Sequence, residues 1–138
     1  MIALELQVLA GTYAVSRLSP NAPIPEWAQG ELVALTRTPG ELSVVSPAES
    51  VPESVKSERG RRALRVVGPL DFSLVGILAG LSGALAQAEI PIFALSTFDT
   101  DYLLVDERDL ARAVCVLKSA GHRVVSADSA AGAAAGQP

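Results

Sequence analysis

A mixed α+β fold is predicted by three observations. Two stretches carry apolar residues at helical spacing, several shorter runs alternate or cluster their apolar residues as strands do, and proline- and glycine-marked turns separate them. With 138 residues, 49% of them apolar, the chain suffices for one domain of ordinary size or two very small units.

The first half reads as sheet. From Ala3 to Leu18, Leu4, Leu6 and Val8 alternate with Glu5 and Gln7, the period of a strand with one wet face. Gly11 interrupts the run and Tyr13, Val15 and Arg17 continue it, so this is two strands or one strand broken by a bulge. Pro20, Pro23 and Pro25 forbid regular pairing, and Pro25 suits the first turn of a short helix holding Glu26, Trp27 and Ala28. The bulk of Trp27 is expected to staple that segment onto the sheet. Leu32 to Arg37 and Leu42 to Ser46 flank Thr38-Pro39-Gly40-Glu41, which predicts a hairpin with a type II turn. Ser46 to Arg62 is rich in proline, serine and mixed charge and reads as a connector, with Lys56 to Arg65 as a solvated basic stretch and a boundary near Gly60.

The second half is more regular. Strand Ala63 to Gly68 passes through Pro69 to a helix capped by Asp71 or Ser73, whose apolar stripe is Leu74, Ile77, Leu78, Leu81 and Leu85. Gly76 falls in its first turn, where unpaired N–H groups and the absence of a side chain favour an approaching carboxylate. Strand Ile90 to Leu95, the polar turn Ser96 to Thr100 and strand Tyr102 to Val105 form a second hairpin. Asp106 caps another helix, with Leu110, Ala113, Val114 and Leu117 buried, Glu107 and Asp109 in its first turn, and Gly121 just past its end. Val124 and Val125 supply a last edge strand. The order β-α-β-β-α-β is the ferredoxin-like arrangement, with both helices on one face of an antiparallel sheet. The expected organisation is thus 1–60 for an irregular first unit plus connector, 61–126 for the regular unit, and 127–138 for a frayed tail.

Charge and composition narrow the function classes. A net charge of −4 and a pI near 4.9 leave little for counterion-driven binding to nucleic acid, and 4% aromatic content is too little for a base-stacking sheet. No run reaches the roughly 18 apolar residues of a membrane span, no basic leader opens the chain, and the one cysteine, Cys115, excludes a disulfide framework. A cytoplasmic protein without membrane contact is expected. His122, the one histidine, lacks a local partner to orient it and is read as solvent-facing, and no metal-ligand spacing or phosphate loop is present. Neither enzyme activity nor a cofactor is expected.

Over Arg65 to Gly121, the segment VGILAGLSGALAQAEIPIFALSTFDTDYLLV resembles the ACT domain, in particular the family that includes the CASTOR arginine sensors and small bacterial relatives. GTYAVSRL, PIPEWA, LVALTRTPGELSVV and VP are similar to the degenerate first unit that such proteins place before the regular one. The resemblance implies two ferredoxin-like units, the first degenerate with a short helix. It also implies a free amino acid bound between units, held by Phe72, Ser73, Leu74, Val75 and Gly76 on one side. The backbone of Ile92, Phe93 and Ala94 lies on the other, with Ser96, Thr97, Asp99 and Asp101 nearby. Glu89 stands where the family often has glycine after the helix, and Pro91 follows Ile90 where an oxygen-rich side chain is common. The implied role is a non-catalytic amino-acid sensor or regulatory module, homodimeric and acting on a regulated protein target. The alternative is a structural or protein-interaction ACT domain that binds no ligand.

Overall fold

The computed structural model describes residues 2–70 and 75–126. Along the chain the elements are β1 (Glu5–Val8), β2 (Tyr13–Leu18), β3 (Ala34–Arg37), β4 (Leu42–Pro47), a 3-10 turn (Ala48–Ser50) and β5 (Lys56–Val66). They continue with α1 (Ile77–Gln87), β6 (Phe93–Ser96), β7 (Asp101–Asp106), a 3-10 turn (Glu107–Asp109), α2 (Leu110–Ser119) and β8 (Arg123–Ser126). Two compact units result: Met1–Ala10 with Arg62–Pro138, and Gly11–Arg61. The chain is therefore mixed α+β, and β1 joins the later residues instead of the 1–60 unit expected from sequence.

In the unit that holds both helices, neighbouring strands run β8-β1-β5-β7-β6. Alternation places Leu6 and Val8, Leu64 and Val66, and Leu103 and Val105 on one sheet face, where Leu81, Leu85, Ala113 and Leu117 of the helices meet them. The register aligns Leu6 with Val66 and Val8 with Leu64, so the apolar stripes of β1 and β5 coincide. Each such buried side chain contributes about 1.5–3 kcal/mol of transfer free energy. This is a ferredoxin-like sheet with one strand added. β1 lies between β5 and β8, antiparallel to the first and parallel to the second, so the sheet is mixed, not the antiparallel one expected. An apolar period matching that of β5 suits β1 for this central post.

Both helices end in the same way. Past α1, Glu89 N–H donates to Ala86 O and Ile90 N–H to Leu85 O, while past α2, Gly121 N–H donates to Lys118 O and His122 N–H to Leu117 O. These are Schellman ends, which need a left-handed residue at the first position past the cap and favour an apolar contact at the second. Gly121 adopts φ +101 at no steric cost, but Glu89 adopts φ +59 with a side chain attached. Arg112 of α2 adds a guanidinium bond to Ala88 O at the end of α1 and pairs with Asp109. Asp106 accepts from Arg108 N at 2.9 Å and so caps the 3-10 turn before α2, not α2 itself as the sequence suggests.

The other unit is an antiparallel sheet in the order β3-β4-β2 followed by the first part of β5. Tyr13, Leu42, Val44 and Val45 are buried in it. Three expectations need correction here. The brief helix at Glu26–Ala28 is a turn, closed by Ala28 N–H to Pro25 O, because the prolines around it leave too few donors for a helix. The hairpin after β3 forms, but Gly40 has no positive φ, so its turn is not type II; the Thr38 hydroxyl instead accepts from Gly40 N and Glu41 N at 3.2 Å. The basic connector is strand β5. Two of its arginines bond to carbonyl oxygens, Arg59 donating to Ala48, Val51 and Pro52 and Arg62 to Leu9, while Arg65 reaches the Gln7 side chain. Long cationic side chains on a half-wet strand mimic a solvated linker in sequence.

An L-residue in the left-handed region carries a steric penalty of about 1–2 kcal/mol. Glu89→Gly is therefore expected to raise stability by about 1 kcal/mol, seen as a higher urea midpoint at unchanged slope. An unchanged or lower midpoint would contradict strain at this position.

Candidate functional site

The turn joining β6 to β7 is built to be rigid. Thr97 N–H donates to Thr100 O at 2.8 Å, and the Thr97 hydroxyl accepts from Thr100 N at 3.2 Å. Thr100 is buried and its own hydroxyl donates to Val66 O at 2.6 Å, which fastens the turn to the end of β5. On the other side Leu70 N–H donates to Asp99 O at 2.8 Å. Gly68 makes that approach possible: a Cβ there would lie 2.9 Å from Leu70 N and 3.3 Å from Asp99 O.

α1 begins later than the sequence suggests. Gly76 is the residue before the first helical turn, not within it, and adopts φ +79, with Gly80 N–H to Gly76 O at 2.9 Å. A left-handed residue breaks the backbone path into the helix, which explains why the helix starts at Ile77. The amides of Ile77, Leu78 and Ala79 have no intrahelical acceptor, and no acidic side chain stands in the first turn. The proposed caps Asp71 and Ser73, and the proposed contacts Phe72, Ser73 and Leu74, lie outside the described residues.

A cleft of about 320 Å³ lies between this helix start and the β6–β7 turn, bounded by Gly76, Ile77, Leu78 and Ala79 with Ser96, Thr97, Phe98, Thr100 and Asp101, and by Leu70. Of the sequence-predicted residues it gathers Gly76, Ser96, Thr97 and Asp101. Asp99 is exposed and does not line it. Ile92 packs against the core, whereas Phe93 and Ala94 are exposed, and none of these three lines the cleft. Val75 is 87% exposed and borders a neighbouring cavity instead. Phe98, 85% exposed, went unread in sequence, and Thr100, read there only as one of the polar residues at the end of the strand, proves to be buried. Ser96 donates to Asp101 Oδ1 at 2.6 Å, which orients the carboxylate.

The cleft thus places hydrogen-bond donors at a helix N-terminus opposite the Asp101 carboxylate and the hydroxyl-bearing Ser96, Thr97 and Thr100. Such a pair complements a small molecule that carries both charges. His122 also departs from expectation. It is only 6% exposed, because it occupies the second post-helix position of α2, the place that Ile90 fills after α1. Its Nδ1 accepts from Leu4 N at 3.1 Å, while Nε2 is buried without a partner.

A sheet of this order beneath two helices defines a ferredoxin-like fold, and comparison with known proteins names its family. An ACT domain model matches residues 56–119, and a second model, for an N-terminal domain, matches residues 11–54. A solved structure from Agrobacterium tumefaciens is similar at 36% identity and a TM-score of 0.86, covering 91% of this chain and 95% of that one. The human cytosolic arginine sensor for mTORC1 subunit 1 is 32% identical over 68% of this chain. The chain spans 31% of the length of that relative. The regulatory subunit of aspartate kinase from Thermus thermophilus shares the fold at a TM-score of 0.58 and 12% identity, covering 86% of this chain and 96% of that one. The chain belongs to the ACT domain family and is a CASTOR-like member of it.

Among the described residues no helix is long and apolar enough to cross a membrane. Thr100→Val keeps the side-chain shape but leaves Val66 O without its hydroxyl donor, and is expected to cost about 1–3 kcal/mol by urea denaturation. Thr100→Ser should retain most of the stability. Equal losses in the two variants would show that packing, not the hydroxyl, holds the turn.

Proposed function

We propose that this chain is a non-catalytic regulatory module that senses a free amino acid in the cleft between the start of α1 and the β6–β7 turn. The observation that carries this reading is the placement of first-turn amides without an intrahelical acceptor and the Asp101 carboxylate on one small cleft. The α-carboxylate of an amino acid would meet the amides, and its α-ammonium would meet Asp101 and the turn oxygens, each bond charge-assisted. The names of the relatives support it: one set is titled an arginine sensor, and one structural neighbour is the regulatory subunit of an amino-acid kinase. Arginine is therefore the first ligand to try.

A module of this kind acts by favouring the state in which its ligand is fully enclosed. Phe98 leaves an apolar ring at the mouth of the cleft. A second subunit covering it would complete the enclosure, so we propose a homodimer that ligand stabilises and a protein target that reads the change. The same exposed Phe98 and Val75 favour a second reading, a protein-interaction domain with no small ligand.

Thermal melting of the chain with each of the twenty amino acids separates the two. The sensor reading expects one or a few to raise the midpoint by about 5–10 °C at a hundred times their dissociation constant. Asp101→Asn, which keeps an acceptor for Ser96 but removes the charge, should weaken that ligand about tenfold or more with unchanged circular dichroism. A flat panel at millimolar concentration removes the sensor reading and leaves the interaction domain.

A further inference from the structure

The directions of the hydrogen bonds in the β6–β7 turn determine what the cleft can select. We infer that Ser96 and Thr97 are specificity-determining residues, which with Asp101 make this side of the cleft a wall of acceptors that takes a cation by its N–H groups and not by its charge alone. The inference rests on the amino-acid reading of the cleft and narrows it to ligands with a protonated amine that is not fully methylated.

The directions follow from chemistry, because a carbonyl or carboxylate oxygen has no proton to give. Ser96 donates its hydroxyl proton to Asp101 Oδ1 at 2.6 Å, and Thr97 donates its own to Thr100 O at 3.2 Å. The Thr100 hydroxyl is buried and turned to Val66 O. The backbone N–H groups of Thr97 and Thr100 are engaged within the turn as well, the first with Thr100 O and the second with the Thr97 hydroxyl. Ser96 and Thr97 are nonetheless exposed residues on the cleft wall. What their hydroxyls can still offer a ligand is lone pairs, beside a carboxylate that only accepts.

The opposite wall has the reverse character. The amides of Ile77, Leu78 and Ala79 donate and have no intrahelical acceptor. A zwitterion is therefore received in one direction, with its carboxylate to the helix start and its ammonium to the turn. An α-ammonium brings three N–H groups to the oxygens of Ser96, Thr97 and Asp101. A quaternary ammonium carries the same charge with no proton to share, so it takes water from these oxygens and gives them no hydrogen bond in return. An α-keto group sets acceptor against acceptor. Both are rejected by the wall, and not for want of room.

The test is a titration of the full, 15N-labelled chain with arginine, its Nα-methyl and Nα-trimethyl derivatives, and α-methylarginine, which adds bulk on carbon and keeps three N–H groups. An amino acid that the melting panel prefers takes the place of arginine with the same derivatives. Backbone resonances of Thr97 and Asp101 report occupancy of the cleft. The Nα-methyl and α-methyl compounds are expected to bind within about threefold of arginine, and the trimethyl compound about thirtyfold more weakly or worse. Ser96→Ala should weaken arginine about fivefold and leave the trimethyl compound as it was, while Ser96→Thr restores arginine. Equal affinity for arginine and the trimethyl compound overturns the inference and leaves the amino-acid reading standing. An equal loss with α-methylarginine does the same, since bulk would then decide, and so does unchanged arginine affinity in Ser96→Ala. If no amino acid at millimolar concentration moves these resonances, the amino-acid reading falls and the inference falls with it.

Discussion

Burial of a single sheet face under two helices is the constraint from which the rest follows. Leu6, Val8, Leu64, Val66, Leu103 and Val105 must all be covered, and Leu81, Leu85, Ala113 and Leu117 cover them. This sets the rotation of α1, since Leu81 and Leu85 point inward from one stripe. Once the helix is so oriented, its first turn lies over the end of the sheet, close to the β6–β7 turn that Thr100 fastens to Val66. The cleft is the space left between a helix that cannot rotate and a turn that cannot shift. Its polar groups are inexpensive to hold, because turn geometry and a helix terminus supply them without burying a charge in the core.

Most of the helix-bearing unit was legible in the sequence because its periods are clean. The stripe Ile77, Leu78, Leu81 and Leu85 and the Gly121 stop each have a local physical cause and sit where the sequence placed them, while Asp106 caps the turn one step ahead of α2. What could not be read locally was pairing. Nothing near Glu5–Val8 says that its partners are Val66 and Val124, and the alternation of Leu6 and Val8 is equally compatible with either unit. The strand Lys56–Val66 was hidden for a different reason. Arginines that bond to carbonyl oxygens and arginines that face water have the same spacing, and only the positions of Ala48, Val51, Pro52 and Leu9 distinguish them.

The candidate site was legible in its outline and not in its membership. Gly76 drew attention as a glycine near a helix start, yet its importance lies in a left-handed φ that precedes the helix. Thr97 and Asp101 were recognisable as polar turn residues, whereas Thr100 differs from them only by being buried, which a turn sequence does not reveal. His122 shows the same limit most clearly. A histidine after a glycine at the end of a helix reads as surface, but the Schellman end folds that position back onto Leu117. The family resemblance pointed to the correct fold and to the start of α1; the backbone of Ile92 to Ala94, which it also implied, lies away from the cleft.

The position of β1 carries a consequence for how the chain acquires its shape. β1, which precedes the other described strands along the chain, is flanked by β5 and by β8, so the register of Leu6 with Val124 closes a loop of more than a hundred residues. Contacts of such long range slow folding. During synthesis β2, β3 and β4 have their mutual partners early, while Leu6 and Val8 wait with an uncovered apolar stripe until α2 and β8 have emerged. The waiting stripe is the place where a chaperone would be expected to hold this chain.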